Sequence, residues 1–121
     1  MSSPAELFAD IDSMVPQAFA RHLATDATLR FGNAPQLQGR AACLELWAGF
    51  CELIDGIQHD VVNQWQVGDT TIAETAVTYT RKDGGRVCVP VVTIYRVEDD
   101  LIQDYRVFLD VTPVFAETAS D

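Results

Sequence analysis

Apolar positions along the chain change period twice. Leu7, Phe8 and Ile11 fall on one side of a helix that Ser3 can cap, with Pro4 at the first helical position and Glu6 placed to reach back to the cap. Pro16 restarts the helical reading, because proline is tolerated only in a first turn, and Phe19, Ala20 and Leu23 then share one side. "ATLRFGN" (Ala27 to Asn33) alternates like a short strand, and "NAPQLQG" follows as a loop of turn formers. After Gly39, residues Leu44, Trp47, Phe50, Cys51 and Ile54 recur at spacings of three and four, which predicts a helix that Gly56 would cap.

From Ile57 onward the period drops to two. Ile57 to Val67, Thr71 to Arg81, Arg86 to Val97 and Leu101 to Asp110 are rich in β-branched and aromatic residues and predict four strands. Lys82 to Gly85, "KDGG", predicts a hairpin turn, since Asp-Gly accepts positive φ. Pro90 cannot donate to a ladder, so its strand is expected to be bent, bulged or at an edge there. The predicted order is helices, a short strand, a helix and a long antiparallel meander in one domain spanning 1–121, with "AETASD" at the end as a disordered tail.

Composition narrows the partners. The length of 121 residues and the 48 % hydrophobic content suit one globular core. A formal charge of −10 repels phosphate backbones and anionic membranes, so neither nucleic acid nor membrane is an expected partner. No apolar run is long enough for a bilayer-spanning helix and the N-terminus does not read as a signal peptide, so the expected compartment is the cytoplasm. Cys43, Cys51 and Cys88 are odd in number and lack a CxxC spacing; they read as buried small apolar residues rather than a disulfide framework or zinc site. Two histidines without clustered carboxylates give no metal site, no cofactor is called for, and His22 is explained by a helix end.

Helices followed by long curving antiparallel strands suit an α+β architecture in which a sheet wraps round a helix. In "DATLRFGNAPQLQGRAA", "VGDTTIAETAVTYTRKDGGRV" and the closing "LIQDYRVFLDVTP", from about Leu7 to Phe115, the chain resembles the SnoaL-like proteins of the NTF2-like superfamily, relatives of polyketide cyclases, limonene-epoxide hydrolases and ketosteroid isomerases. The resemblance implies a cone-shaped cavity behind the sheet. It also implies where acids would stand, and they are missing: Val107 occupies the position of the usual catalytic aspartate, Ala76 and Thr78 that of an Arg-x-Asp pair, and Phe31 that of a tyrosine, while Asn33 matches. Nor does a carboxylate stand at the isomerase positions near Phe31 and near Val91 or Val92.

Applying strand alternation to that cavity gives the expected site. Tyr105, Val107 and Leu109 face inward on the last strand, with Val91 and Thr93, with Thr78 beside Glu74, and with Asn63, Trp65, Phe31 and Asn33 as the other ligand-binding residues. His59 and Glu74 are the candidate acid and base, with Asn33, Asn63 and Tyr105 as donors to an oxyanion. His59 beside Asp60 equally fits a surface strand, and Trp65 equally fits a core position. Asp104, Arg106, Phe108 and Asp110 would face outward, Arg106 and Asp110 in an ion pair or interface. Two functions are compatible: a protein that binds a small hydrophobic molecule and acts on it as cyclase, isomerase or hydrolase, or a non-catalytic module that dimerises through an outer face carrying Val77, Tyr79, Ile94 and Phe108.

Overall fold

A computed structural model describes residues 3–116; the predicted tail lies, from residue 117 on, outside the described residues. Ser3 caps α1 (Pro4–Asp12) by accepting from the Glu6 amide at 3.2 Å, and α2 (Pro16–Ala20) follows with its proline in the first turn. Then come β1 (Leu23–Phe31), β2 (Leu37–Gln38), α3 (Arg40–Cys51), β3 (Ile54–Val67), β4 (Thr70–Arg81), β5 (Arg86–Glu98), β6 (Leu101–Phe108) and a short α4 (Thr112–Phe115). The strands form one sheet in the order β2-β1-β6-β5-β4-β3. Helices pack on one face of the sheet, the α+β architecture that the resemblance implies.

Several elements differ from the sequence reading, among them the two-residue β2 inside the predicted loop and the unpredicted α4. β1 begins four residues earlier than predicted and pairs in parallel with β6, so the sheet is not a pure meander. Gly56 lies inside β3 instead of capping α3; a Cβ there would sit 3.2 Å from the Thr80 hydroxyl, so glycine marks a close approach of two strands at a register shift. The inward stripe of α3 is Cys43, Leu46, Trp47 and Phe50, still helical in spacing but offset from the predicted one. Pro90 meets the edge expectation: it pairs with Ala76 on one side but lies beyond Val92, the last β5 residue with a β6 partner.

The faces of β4 are set by the hairpin. Thr80 opposes Arg86, so Val77 opposes Val89 and Thr75 opposes Val91, and directly opposed residues share a face. Thr71, Ala73, Thr75, Val77 and Tyr79 are buried behind the sheet, and Glu74, Ala76 and Thr78 point the other way. The expectation for β4 is therefore reversed, and Val77 and Tyr79 belong to the core instead of the outer face. On β3, Ile57 and His59 oppose Tyr79 and Val77 on the inner face, but the register slips at Val61/Asn63. One extra residue exchanges the two faces of the remaining strand, so Asn63 opposes Glu74 and Trp65 opposes Ile72 outside.

Two apolar clusters hold the layers together. The larger joins Leu7, Phe8, Ile11 and Phe19 of the helices to Leu23, Leu29, Tyr95 and Tyr105 of the sheet. The smaller joins Ile54, Val77, Tyr79, Val89 and Val91 to Val114 of α4. Each fully buried aliphatic side chain contributes about 1.5–3 kcal/mol. Val107, in the last strand, touches both clusters. Between them lies the cavity.

Candidate functional site

The cavity is lined from every layer: Ile11 of α1, Phe19 of α2, Leu46, Trp47 and Phe50 of α3, and Phe31, Ile57, His59, Tyr79, Val91, Thr93, Tyr105 and Val107 of the sheet. Its volume is about 70 Å³. That is roughly half of a ~150 Å³ apolar cavity able to hold benzene, so anything much larger must displace aromatic side chains. Those side chains form a chain of ring contacts: Phe31, Trp47, Tyr79 and Phe115 all meet Phe50, at centroid distances of 5.4 to 5.9 Å. No lysine or arginine lines the cavity among the described residues.

Its polar groups gather around one histidine. The His59 ring stacks on Phe8 at 4.5 Å, and its Nδ1 lies 2.5 Å from Asp12 Oδ1. The second carboxylate oxygen of Asp12 accepts the His59 backbone N–H at 2.8 Å. A carboxylate that receives both groups fixes ring position and tautomer together, since Nδ1 must donate and Nε2 of the neutral ring is left as a proton acceptor. The His59 side chain is 7 % exposed and that of Asp12 21 %. Their geometry follows from the fold: α1 ends at Asp12, one turn after Phe8, so the same helix face that stacks on the ring also presents the carboxylate.

Two phenols stand nearby. Burial, and secondarily the Asp12 charge, pushes the Tyr79 hydroxyl from 10.0 up to about 12, and burial pushes Tyr105 further in the same direction, against the Thr93 hydroxyl that favours its ionised form. Both therefore remain protonated across the neutral range and can donate but not act as bases. Tyr95, the third tyrosine of the chain, is raised by burial as well. A folded-state pKa above the unfolded one gives stability that is complete below pH 10 and disappears as pH rises through about 12. Absorbance of tyrosinate is thus expected to stay flat to well above pH 10 and then appear together with loss of the circular dichroism signal. Ordinary titration centred at pH 10 in a folded protein would contradict this placement.

The sequence-predicted residues divide as follows. His59, Phe31, Val91, Thr93, Tyr105 and Val107 line the cavity. Leu109 packs in the smaller core cluster, next to it. Asn33 is exposed in the turn after β1. Glu74, Thr78, Asn63 and Trp65 lie on the outer face, where the Asn63 amide donates to Glu74 Oε1 at 3.0 Å. Arg106 pairs with Asp104 at 3.1 Å, which also accepts from the Thr28 hydroxyl, while Asp110 accepts from the Thr112 amide. His22 binds Asp10 at 2.7 Å, and this contact, with help from Arg21, holds the Asp10 carboxyl below its usual range. Cys43 is buried as expected, but Cys88 is exposed because it shares the outer face with Thr78. Asp12, Trp47 and Phe50 are missing from the predicted site, and the Phe8-to-Asp12 helical spacing is the signal that carries the first of them.

Against known proteins, the SnoaL-like domain profile matches residues 5–105. No curated protein matches the sequence. Among solved structures, the chain is similar to a hypothetical protein of ketosteroid isomerase-like fold from Catenulispora acidiphila DSM 44928, in complex with trimethylamine, with TM-score 0.84, 18% identity and coverage of 95% of this chain and 92% of that one. It is similar to a Jannaschia protein named for the SnoaL-like polyketide cyclases, with TM-score 0.80, 18% identity and coverage of 98% and 99%. It is also similar to an epoxide hydrolase of the LEH-like kind from M. tuberculosis, with TM-score 0.77, 15% identity and coverage of 92% and 82%. At such identities the likeness concerns the fold. No helix among the described residues is long and apolar enough to cross a membrane.

Proposed function

The chain belongs to the SnoaL-like domain family, and we propose that its cavity binds a small hydrophobic molecule and moves a proton on it, with His59 as the base and Asp12 as the residue that holds and polarises it. The observation that carries this reading is the two-point grip of Asp12 on His59 at the wall of an otherwise apolar cavity. The arrangement supplies a positioned acceptor at Nε2, neutral phenols at Tyr79 and Tyr105 to donate to charge that develops on the substrate, and walls that exclude water. Chemistry of this class covers isomerisation and cyclisation by proton transfer at carbon. It dispenses with an aspartate at Val107, because the base arrives from β3 and its carboxylate from α1.

The test is proton exchange in D2O. A panel of small neutral carbon acids incubated with the protein is expected to gain deuterium by mass spectrometry or NMR, and the exchange is expected to fall sharply with His59→Asn. Ligands that bind and leave without label would make the protein a binding module instead.

A second reading concerns assembly and rests on a separate observation. Trp65 and Phe108 are 51 % and 47 % exposed on the outer face, in neighbouring cross-strand rows with Ile72, Ile94 and Val92. We infer a homodimer through that face, because these side chains form a contiguous exposed apolar patch that a two-fold axis would cover with the same patch of a second copy. Analytical ultracentrifugation is expected to show twice the chain mass, falling to the monomer with Trp65→Lys plus Phe108→Lys while the fold persists. A wild-type monomer at micromolar concentration would remove this reading.

A further inference from the structure

One polar atom in the cavity wall has no role in the His59 chemistry. Trp47 Nε1 is sealed from solvent and meets no acceptor among the described residues. The ring belongs to α3, lines the cavity and stacks near-parallel on Phe50, with centroids 5.8 Å apart. An N–H buried without an acceptor forfeits the hydrogen bond it makes in water, and a phenylalanine or leucine would wall the same space without that loss. A ligand oxygen that enters beside the ring supplies the missing acceptor.

We propose that the Trp47 indole N–H is the positioning donor for a neutral oxygen acceptor on the ligand, which makes the preferred ligand class a small uncharged carbonyl compound. The charge state follows from the lining: the donor is neutral, no lysine or arginine accompanies it, and Asp12 stands behind His59, whose ring lines the cavity. A carboxylate entering this space would lose its hydration with only neutral groups to replace it, and would meet the negative charge of Asp12. A hydrocarbon of the same shape would leave the indole N–H unsatisfied. A ketone or ester oxygen satisfies it, and places carbon-bound hydrogens next to the carbonyl in the cavity that His59 faces. The ligand class deepens the proton-transfer reading and rests on it, but the binding role of Trp47 can be measured separately.

The probes are cyclopentanone and its near-isostere methylenecyclopentane, in which a C=CH2 group replaces the C=O. The chain has only two tryptophans, so the indole region of a ¹H–¹⁵N spectrum holds the Trp47 signal and an internal control from exposed Trp65. Cyclopentanone is expected to move the Trp47 indole proton downfield, methylenecyclopentane to move it little, and neither to move Trp65. In Trp47→Phe, affinity for the ketone is expected to fall about tenfold, the equivalent of one neutral hydrogen bond, while affinity for the alkene stays level. Equal losses for both probes, an unmoved Trp47 signal on ketone binding, or no binding of either probe would overturn the proposal. Deuterium gain by cyclopentanone in the same samples separates the two readings. Exchange without a Trp47 response sinks the donor role alone, and a Trp47 response without exchange sinks the proton-transfer role alone.

Discussion

His59→Asn is expected to reduce carbon-proton exchange by roughly 10²- to 10⁴-fold, the usual contribution of a positioned general base, with little loss of thermal stability. The asparagine amide takes the place of Nδ1 and can still offer an N–H to Asp12 Oδ1, so the contact between α1 and β3 survives while the acceptor at Nε2 disappears. Asp12→Asn is the more telling partner experiment. The carboxylate accepts two hydrogen bonds, from the His59 backbone N–H and from Nδ1. An amide has only one oxygen. If that oxygen keeps the backbone N–H, its NH2 group faces Nδ1 and drives the ring proton to Nε2, the atom that must accept. A fall of roughly 10²-fold or more is then expected from a change that leaves every heavy atom in place. A structural role for Asp12 would predict lost stability and unchanged exchange per folded molecule. A positioning role predicts the reverse, with an altered pH–rate profile and loss of the downfield Nδ1 proton from the NMR spectrum.

Why was the base legible in the sequence and its carboxylate not? His59 falls on a strand whose alternation with Ile57 is local, and local period is what a sequence displays. Asp12 meets it across 47 positions, through the packing of α1 on β3. No periodic signal on β3 encodes that contact. The partial signal is on α1, where Asp12 follows Phe8 by one turn and so shares a side with the buried stripe, but an acid at the end of an exposed helix reads first as a surface residue.

Glu74 shows the opposite failure. "TIAETAVTYTR" alternates on both parities, and a search for acid chemistry favours the even set. The odd set is the one that Val89 and Val91 require, because the turn from Arg81 to Gly85 fixes Thr80 opposite Arg86 and so pairs odd with odd. Calling Val91 and Glu74 both inward breaks that rule, so the hairpin alone was sufficient to choose. The slip on β3 was less accessible. Beyond His59 no helix covers the strand, residues 61 to 69 are exposed on both faces, and burial therefore imposes no alternation from which a bulge could be read. The parallel pairing of β1 with β6 was hidden for a related reason, since it joins chain ends and leaves no turn signature.

The face assignment of β4 has a test in which the chemistry of the substitution cancels. Ala73 and Ala76 lie three positions apart on one strand, Ala73 fully buried opposite Thr93 and Ala76 opposite Pro90 on the outer face. Ala73→Asp places a carboxylate among the apolar side chains of the larger cluster, where no cation stands opposite it on β5. The cost is expected to exceed about 4 kcal/mol, a large share of the roughly 5–15 kcal/mol of a typical domain, and the variant is expected to be unfolded or aggregated. Ala76→Asp places the same group in solvent beside Asp60, a like-charge neighbour worth about 0.2–1 kcal/mol, and the variant is expected to unfold within a few degrees of the parent. Urea denaturation of the two proteins decides between the faces. Comparable losses at both positions, or the larger loss at Ala76, would return Glu74 to the cavity wall and remove Tyr79 from it, and the donor set proposed around His59 would have to be rebuilt.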